Sequence, residues 1–167
     1  MNMRRLARER AIQFLYQVDL NSPDSVAEEL ERFWEFQRLE SRYSDDAKAT
    51  WAQAVELPPP TAQDLAIQEF AASLITGTVE HLKEIDEQIV KYAKNWNINR
   101  IANVDKTILR LAIYEMLYRN DIPPVVSINE AVDIAKKYST EDSGKFVNGI
   151  LDKVRENILR PSRRSIS

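Results

Sequence analysis

Hydrophobic residues recur along most of this chain at the three- to four-residue spacing of amphipathic helices. In the first segment, one apolar stripe is formed by Ala7, Ala11, Phe14, Leu15 and Val18. Apolar and polar residues do not alternate over any sustained stretch, as they would in half-buried β-strands. The pattern therefore predicts an all-α fold, a bundle of about six or seven helices.

Two pairs of residues have the spacing of a capping box, in which a side chain caps the first turn of a helix and an acid three residues later reaches back. Ser25 and Glu28 precede one apolar run, and Ser127 and Glu130 precede another. We therefore expect a helix to begin at each of these two serines.

Two longer helical segments are predicted after residue 60, over residues 61–96 and about 104–120. Gly77 interrupts the first segment, where it marks either a bend or a close contact between helices. Pro123 and Pro124 end the second segment, because proline is not accommodated in a helix interior.

Residues 40–60 (ESRYSDDAKATWAQAVELPPP) have a different character from the rest of the chain. They are polar and weakly periodic, and they end in three prolines. We interpret this stretch as a polar insertion or long loop within a single domain spanning residues 1–167. A chain of this length buries about two thirds of the surface that it exposes when unfolded.

The residue types present leave little room for catalysis. The chain has no cysteine, which excludes disulfides, thiolate catalysis and Cys-based zinc sites, and which favours a cytoplasmic location. Its single histidine, His81, has no partner at metal-ligand spacing, and no glycine-rich loop is present to hold a phosphate. No apolar run approaches the roughly 20 residues of a membrane span. We therefore expect a binding protein with no catalytic residue, no metal, no cofactor and no membrane association.

Positive charge is concentrated at the two ends of the chain, although the formal net charge is -3. Residues 1–10 contain four Arg and one Glu, and residues 153–167 contain five basic residues and one acid. Residues 21–60 contain nine acids and four bases. An anionic partner would therefore be met by the ends of the chain rather than by its whole surface.

The arginines at the start lie where a helix dipole disfavours cations by roughly 0.3–1 kcal/mol each. One interpretation is that they are solvated residues at a frayed helix end, and another is an organellar transit peptide. A third is a flexible arm that binds phosphates and bases, since Arg bonds phosphate through two N–H groups and stacks on nucleobases. The residues concerned are Arg4, Arg5 and Arg8.

The first helix carries a second face besides its apolar stripe. Arg5, Ile12 and Tyr16 gather there on a helical wheel. Either the bundle wraps this helix on two sides, or the second face docks on a partner.

The segment TEDSGKFVNGILDKV has a buried stripe, with a Lys-Phe pair to one side of it. Lys145 and Phe146 could combine a charge with a stacking platform for an unpaired base. The other interpretation is that Phe146 belongs to the edge of the core.

Three stretches, RRLARERAIQFLYQ, VDKTILRLAIYEML and PPVVSINEAVDIAKKYSTEDSGKFVNGILDKV, resemble the NusB family of bacterial transcription antitermination factors. The resemblance covers residues 4–20 and most of 62–160. It implies two packed three-helix bundles plus a short extra helix. It also implies binding of single-stranded boxA RNA of ribosomal RNA transcripts together with NusE, a small-subunit ribosomal protein. The expected setting is an antitermination complex with RNA polymerase, and association of two copies as a homodimer is an alternative state in the family.

The resemblance also assigns residues to the two partners. On the RNA side it places Arg4, Arg5, Arg8, Asp142, Ser143, Lys145 and Phe146. On the NusE side it places Tyr16 and Asp105, and the second helix face adds Ile12.

The chain departs from the family pattern at two places, and one competing function is possible. Leu6 interrupts the basic run, which leaves the number of phosphate contacts undetermined, and residues 35–60 exceed the compact form of the family. The competing function is a helical protein-protein interaction module without direct RNA contact.

Overall fold

The computed structural model describes residues 2–21, 24–45, 59–93 and 97–159. Within these ranges all regular structure is helical, which confirms the all-α fold class. The helices are α1 (Met3–Asn21), α2 (Val26–Asp45), α3 (Ala62–Glu80), α4 (Leu82–Tyr92), α5 (Asn103–Tyr118), α6 (Pro124–Tyr138) and α7 (Glu141–Leu159), with a 3-10 turn at Ile98–Arg100 before α5.

The helices pack as two groups of three, with the short helix α4 between them, as the resemblance implies. Helices α1, α2 and α3 form the first group, and α5, α6 and α7 form the second. Helix α5 contacts both groups and is the most deeply buried element. The core is formed by side chains that include Phe14, Leu74, Ile75, Ile85, Ile89, Ile108, Leu109, Ile113, Ile134, Val147 and Leu151. No helix in the described part of the chain combines the length and the apolar character needed to cross a bilayer.

Helix α2 begins close to the predicted position and extends beyond the predicted end. The backbone N–H of Glu28 donates to the Ser25 hydroxyl at 3.3 Å, so Ser25 caps the first turn. The helix then runs to Asp45, through the first residues of the stretch interpreted as a loop or insertion. Residues 46–58 of that stretch lie outside the described residues.

The capping box predicted at Ser127 and Glu130 is wrong. Helix α6 begins three residues earlier, with Pro123 as its N-cap and Pro124 in the first helical position, where the fixed φ of proline fits a helix. Ser127 is therefore inside the helix and buried, and its hydroxyl donates to the Glu115 carboxylate at 3.1 Å.

The segment predicted as one helix over residues 61–96 is two helices that join at His81. Gly77 lies one turn before the junction, and it allows close approach of α3 and α5. A Cβ atom at this position would lie 2.0 Å from Cζ of Tyr114. Of the two roles that the sequence allowed for Gly77, the close contact is the one observed.

Candidate nucleic-acid interface

The first arginines of the chain lie in a capped helix, not in a flexible arm. The side chain of Asn2 accepts hydrogen bonds at 3.1 Å from the backbone N–H groups of Arg4 and Arg5. This cap satisfies two of the N–H groups that a helix start leaves unpaired. The interpretation as a flexible arm is therefore wrong, because the arginines project from a formed first turn.

Arg4 is exposed, and its guanidinium lies over the ring of Phe70 in α3, with 4.8 Å between Cζ and the ring centroid. Among the described residues, no carboxylate lies within ion-pair distance of it. The cation is therefore available to an anionic ligand.

Arg5 is paired with two carboxylates of α6. Its Nε donates to Glu130 Oε2, and its Nη2 donates to Asp133 Oδ2 at 2.9 Å. Hydrogen bonding to Glu130 raises the pKa of the Arg5 guanidinium above its ordinary value. The side chain remains 37% exposed, and the N–H groups of Nη1 stay open to a further acceptor.

Arg8 is buried rather than presented to a ligand. Its guanidinium donates through Nε and Nη2 to the carboxylate of Glu115 in α5, with 2.7 Å between Nη2 and Oε1. Only 3% of the Arg8 side chain and 1% of the Glu115 side chain are exposed. Direct contact of Arg8 with RNA does not fit this burial, and the residue instead joins α1 to α5.

The second face of α1 is divided between core and solvent. Ile12 is 5% exposed and packs among residues of α5 and α6 such as Ile108 and Ala131. Tyr16, one turn later, is 39% exposed. The bundle therefore covers this face at Ile12 and leaves Tyr16 exposed to a partner.

A chain of hydrogen bonds joins the start of α7 to the start of α5. Thr140 caps α7 by accepting from the Ser143 backbone N–H at 3.0 Å. The Ser143 hydroxyl donates to Asp105 Oδ2 at 3.0 Å and lies 2.8 Å from the Ser139 hydroxyl. Asp105, which the resemblance assigns to NusE, is only 7% exposed. It lies beneath Ser143, which the resemblance assigns to RNA.

The remaining predicted residues lie at the surface of the same helix start. Asp142 and Lys145 are exposed, and Phe146 is partly buried against the edge of the core. The ring of Phe146 is thus neither sealed in the interior nor fully open. Gly144 admits the neighbouring helix, because a Cβ there would lie 2.8 Å from Cγ of Lys136.

Helix α6 brings the two predicted segments to one side of the molecule. Near its middle, Asp133 binds Arg5 of α1, and one turn later Lys136 lies against Gly144 of α7. Three residues of helix correspond to about 4.5 Å along the axis. The next residue, Lys137, donates to Glu9 of α1 at 2.7 Å. Since Arg5 also bonds Glu130, the contacts of the first turns of α1 and α7 on α6 lie three to six residues apart, which is about 4.5–9 Å along the helix axis, and both helix starts border α6.

Sequence reasoning missed two residues beside Arg4. Phe70 fits the apolar spacing of α3, so the sequence does not distinguish it from the core residues of that helix. Arg119 reads as an ordinary charge after the end of α5, yet its guanidinium carbon lies 5.5 Å from the Phe70 ring centroid. No local pattern relates these residues to Arg4, because the three belong to different helices and loops.

No cluster of three or more potential metal ligands occurs in the described ranges. The surface that the fold assembles from the starts of α1 and α7 instead combines guanidinium and ammonium groups with a partly exposed ring. Such a combination suits a ligand that carries phosphates and unstacked bases.

Comparison with known proteins gives consistent matches over most of the chain. A family model described as the NusB family matches residues 5–156. A transcription antitermination protein NusB from Thermodesulfovibrio yellowstonii is 46% identical over 158 residues, which cover 90% of each chain. The corresponding protein of Methylacidiphilum infernorum is 47% identical over 154 residues, covering 92% of this chain and 91% of the relative.

Solved structures give the same result. NusB of T. maritima superposes with a TM-score of 0.68 at 34% identity, covering 92% of this chain and 90% of that chain. A NusB chain solved in a complex of the antitermination factors NusB and NusE with double-stranded RNA gives a TM-score of 0.66 at 27% identity, covering 94% and 98%. With these matches and the packing described above, the chain belongs to the NusB family of transcription antitermination proteins.

Proposed function

We propose that this protein is a non-enzymatic antitermination factor that binds single-stranded boxA RNA of ribosomal RNA transcripts together with NusE. The observation that carries the proposal is that the starts of α1 and α7 both contact α6, Arg5 through Glu130 and Asp133 and Gly144 through Lys136. Membership of the NusB family and the fold shared with a NusB–NusE–RNA complex support the same function.

The proposed RNA surface differs in detail from the residues assigned by sequence. Arg4, Arg5 and Lys145 supply the charge, and Phe146 supplies a ring for stacking. Asp142 and Ser143 form the first turn of α7, where Ser143 orients the helix through Asp105. Arg8 supports the surface from beneath through its ion pair with Glu115.

The NusE surface is proposed around Tyr16. Leu20 lies one turn further along α1 and is 55% exposed, so the two side chains share an exposed face. Aromatic and aliphatic groups of this kind act as anchors in protein interfaces. Ile12 and Asp105 would contribute by shaping this region from within the core rather than by touching NusE.

The test is a titration of fluorescently labelled boxA RNA with the protein and purified NusE over a series of salt concentrations. Each phosphate neutralised on single-stranded RNA contributes about -0.7 to the slope of log affinity against log salt. Arg5→Gln and Lys145→Gln should each make the slope shallower by about 0.7. Arg32→Gln on α2, an exposed arginine that pairs with Glu29, is the matched control and should leave the slope unchanged. Slopes that do not respond to Arg5 and Lys145 would exclude this surface.

The competing function is a protein-interaction module without RNA contact, which the exposed Tyr16–Leu20 face favours. It predicts that the complex with NusE forms normally while boxA RNA adds nothing to it. A pull-down on immobilised protein, with and without the RNA, separates the two functions, because only the RNA-binding function predicts that the oligonucleotide is retained and strengthens capture of NusE.

A further inference from the structure

A groove of about 430 Å³ opens between the first turn of α1 and helix α3, and it reaches the residues that follow α5. Its walls combine apolar and charged side chains, namely Arg4, Ile67, Glu69, Phe70, Ser73 and Arg119. The groove begins at Arg4, the residue next to Arg5 in α1.

Three guanidinium groups surround the Phe70 ring in this groove. The distances from Cζ to the ring centroid are 4.8 Å for Arg4 and 5.5 Å for both Arg8 and Arg119. Arg8 is neutralised by its buried partner Glu115. Arg4 has no carboxylate within ion-pair distance in the described part of the chain and interacts with Asp121 only over a longer distance, so the groove holds an exposed cation against an aromatic ring.

Arg119 already binds an anionic group, the carboxylate of Asp121, through two parallel hydrogen bonds. Its Nη1 donates to the Ser73 hydroxyl at 3.0 Å, which holds it against α3. Its Nε and Nη2 each donate to one oxygen of Asp121 at 2.9 Å, the two-bond geometry with which arginine also binds phosphate. Asp121 is 54% exposed, so an incoming phosphate can replace it without uncovering a buried charge.

We infer that this groove is a subsite for one unpaired nucleotide of the RNA strand. Arg4 and Arg119 bind its phosphate, and Phe70 with Ile67 forms the surface on which its base packs. The inference rests on the proposed RNA-binding function and extends the RNA path beyond the starts of α1 and α7. A paired base is excluded because both of its faces are covered in a duplex stack.

The test uses the same labelled boxA RNA and four single variants. Arg4→Gln and Arg119→Gln should each make the salt slope shallower by about 0.7. Phe70→Leu should weaken binding at least about fivefold, since stacking on an aromatic ring contributes about 1–3 kcal/mol per base. Asp121→Asn should strengthen binding several-fold, because it removes the carboxylate that competes for Arg119. A purely structural Arg119–Asp121 pair would give no such gain.

Two further measurements keep the test decisive if a variant folds poorly. Circular dichroism gives the folded fraction of every variant, with Arg32→Gln as control. In the unmodified protein labelled at isoleucine methyl groups, RNA should shift the signal of Ile67 in the groove and leave that of buried Ile89 in place. If the protein binds the RNA but Ile67 does not respond and the variants behave as Arg32→Gln does, the subsite is refuted and the proposed function stands. If the unmodified protein binds no single-stranded RNA, the proposed function fails, and the subsite fails with it.

Discussion

The three arginines that the resemblance assigns to RNA differ in what surrounds each guanidinium. Arg4 lies on an aromatic ring, Arg5 bonds two carboxylates at the surface, and Arg8 is buried against Glu115. Their surroundings therefore differ: Arg4 is an exposed cation on a ring, Arg5 is a cation bonded to two carboxylates, and Arg8 is a buried link between two helices. The cost of cations near the start of α1 is thus offset by groups on other helices.

The first prediction concerns the buried pair of Arg8 and Glu115. Arg8→Ala should lower the free energy of unfolding by about 3–5 kcal/mol, because it leaves the Glu115 carboxylate buried without its cation. The double variant Arg8→Met/Glu115→Leu should recover most of this loss, since it removes both charges and keeps the volume filled. Urea denaturation measures both values, with Arg32→Ala as an exposed control.

The same double variant distinguishes two possible roles of Arg8, which are support of the RNA surface from beneath and direct contact with RNA. If Arg8 only positions α1, the refolded double variant should bind boxA RNA with an unchanged salt slope. A slope that is shallower by about 0.7 would show instead that Arg8 reaches a phosphate.

A second prediction concerns acid stability at Asp121. The hydrogen bonds from Arg119 lower the pKa of this carboxyl from its ordinary 3.8 to about 2. A carboxyl with a lowered pKa stabilises the folded state above its ordinary pKa, and this contribution disappears as the pH falls toward the folded-state value. The difference in Tm between the unmodified protein and Asp121→Asn should therefore narrow between pH 4 and pH 2. A difference that stays constant over this interval would mean that the pair contributes nothing to stability.

At this scale, the sequence predicts which apolar side chains of one helix are buried, but it does not predict what surrounds a charged side chain. The spacing correctly placed Ala7, Ala11 and Phe14 in the core, because their burial follows from one helix alone. The partners of Arg5 and Arg8 are more than 100 residues away along the chain, on α6 and α5. Burial of a charge depends on such long-range pairing, which no local pattern contains.

At the scale of the elements, the helices follow from apolar spacing, whereas their junctions depend on tertiary contacts. Helix α6 starts at Pro124 instead of Ser127, since Pro supplies a suitable φ and the serine hydroxyl is used by Glu115. Similarly, Gly77 does not break α3, because its role is to make room for Tyr114. A glycine in a helical pattern allows either outcome, and only the facing helix decides between them.

A third prediction tests this contact between α3 and α5. Gly77→Ala should destabilise the protein by about 1–3 kcal/mol, because the added methyl group overlaps the Tyr114 ring and forces the helices apart. Gly149→Ala in α7 is the matched control, since no atom lies within 4 Å of a Cβ at that position. It should stabilise the protein by about 0.5–1 kcal/mol through helix propensity alone. Thermal unfolding of the two variants should therefore move in opposite directions, and equal losses would contradict the contact.

At the scale of the whole molecule, the fold brings together basic side chains from separate segments of an acidic chain. The first turns of α1 and α7 are far apart in sequence, and α6 brings them to one side. The two-bundle packing was implied by the resemblance alone, since helical periodicity does not specify which helices are neighbours. Of the basic C-terminal segment, residues 160–167 lie outside the described residues.

The most direct test of this account is photocrosslinking with one boxA oligonucleotide that carries 4-thiouridine at successive positions, followed by mass spectrometry of the crosslinked peptides. If one strand lies across the starts of both helices, the same oligonucleotide should crosslink to residues 3–10 and to residues 141–150 from different positions. Crosslinks confined to one of these segments, or found instead on α4, would contradict the shared RNA surface.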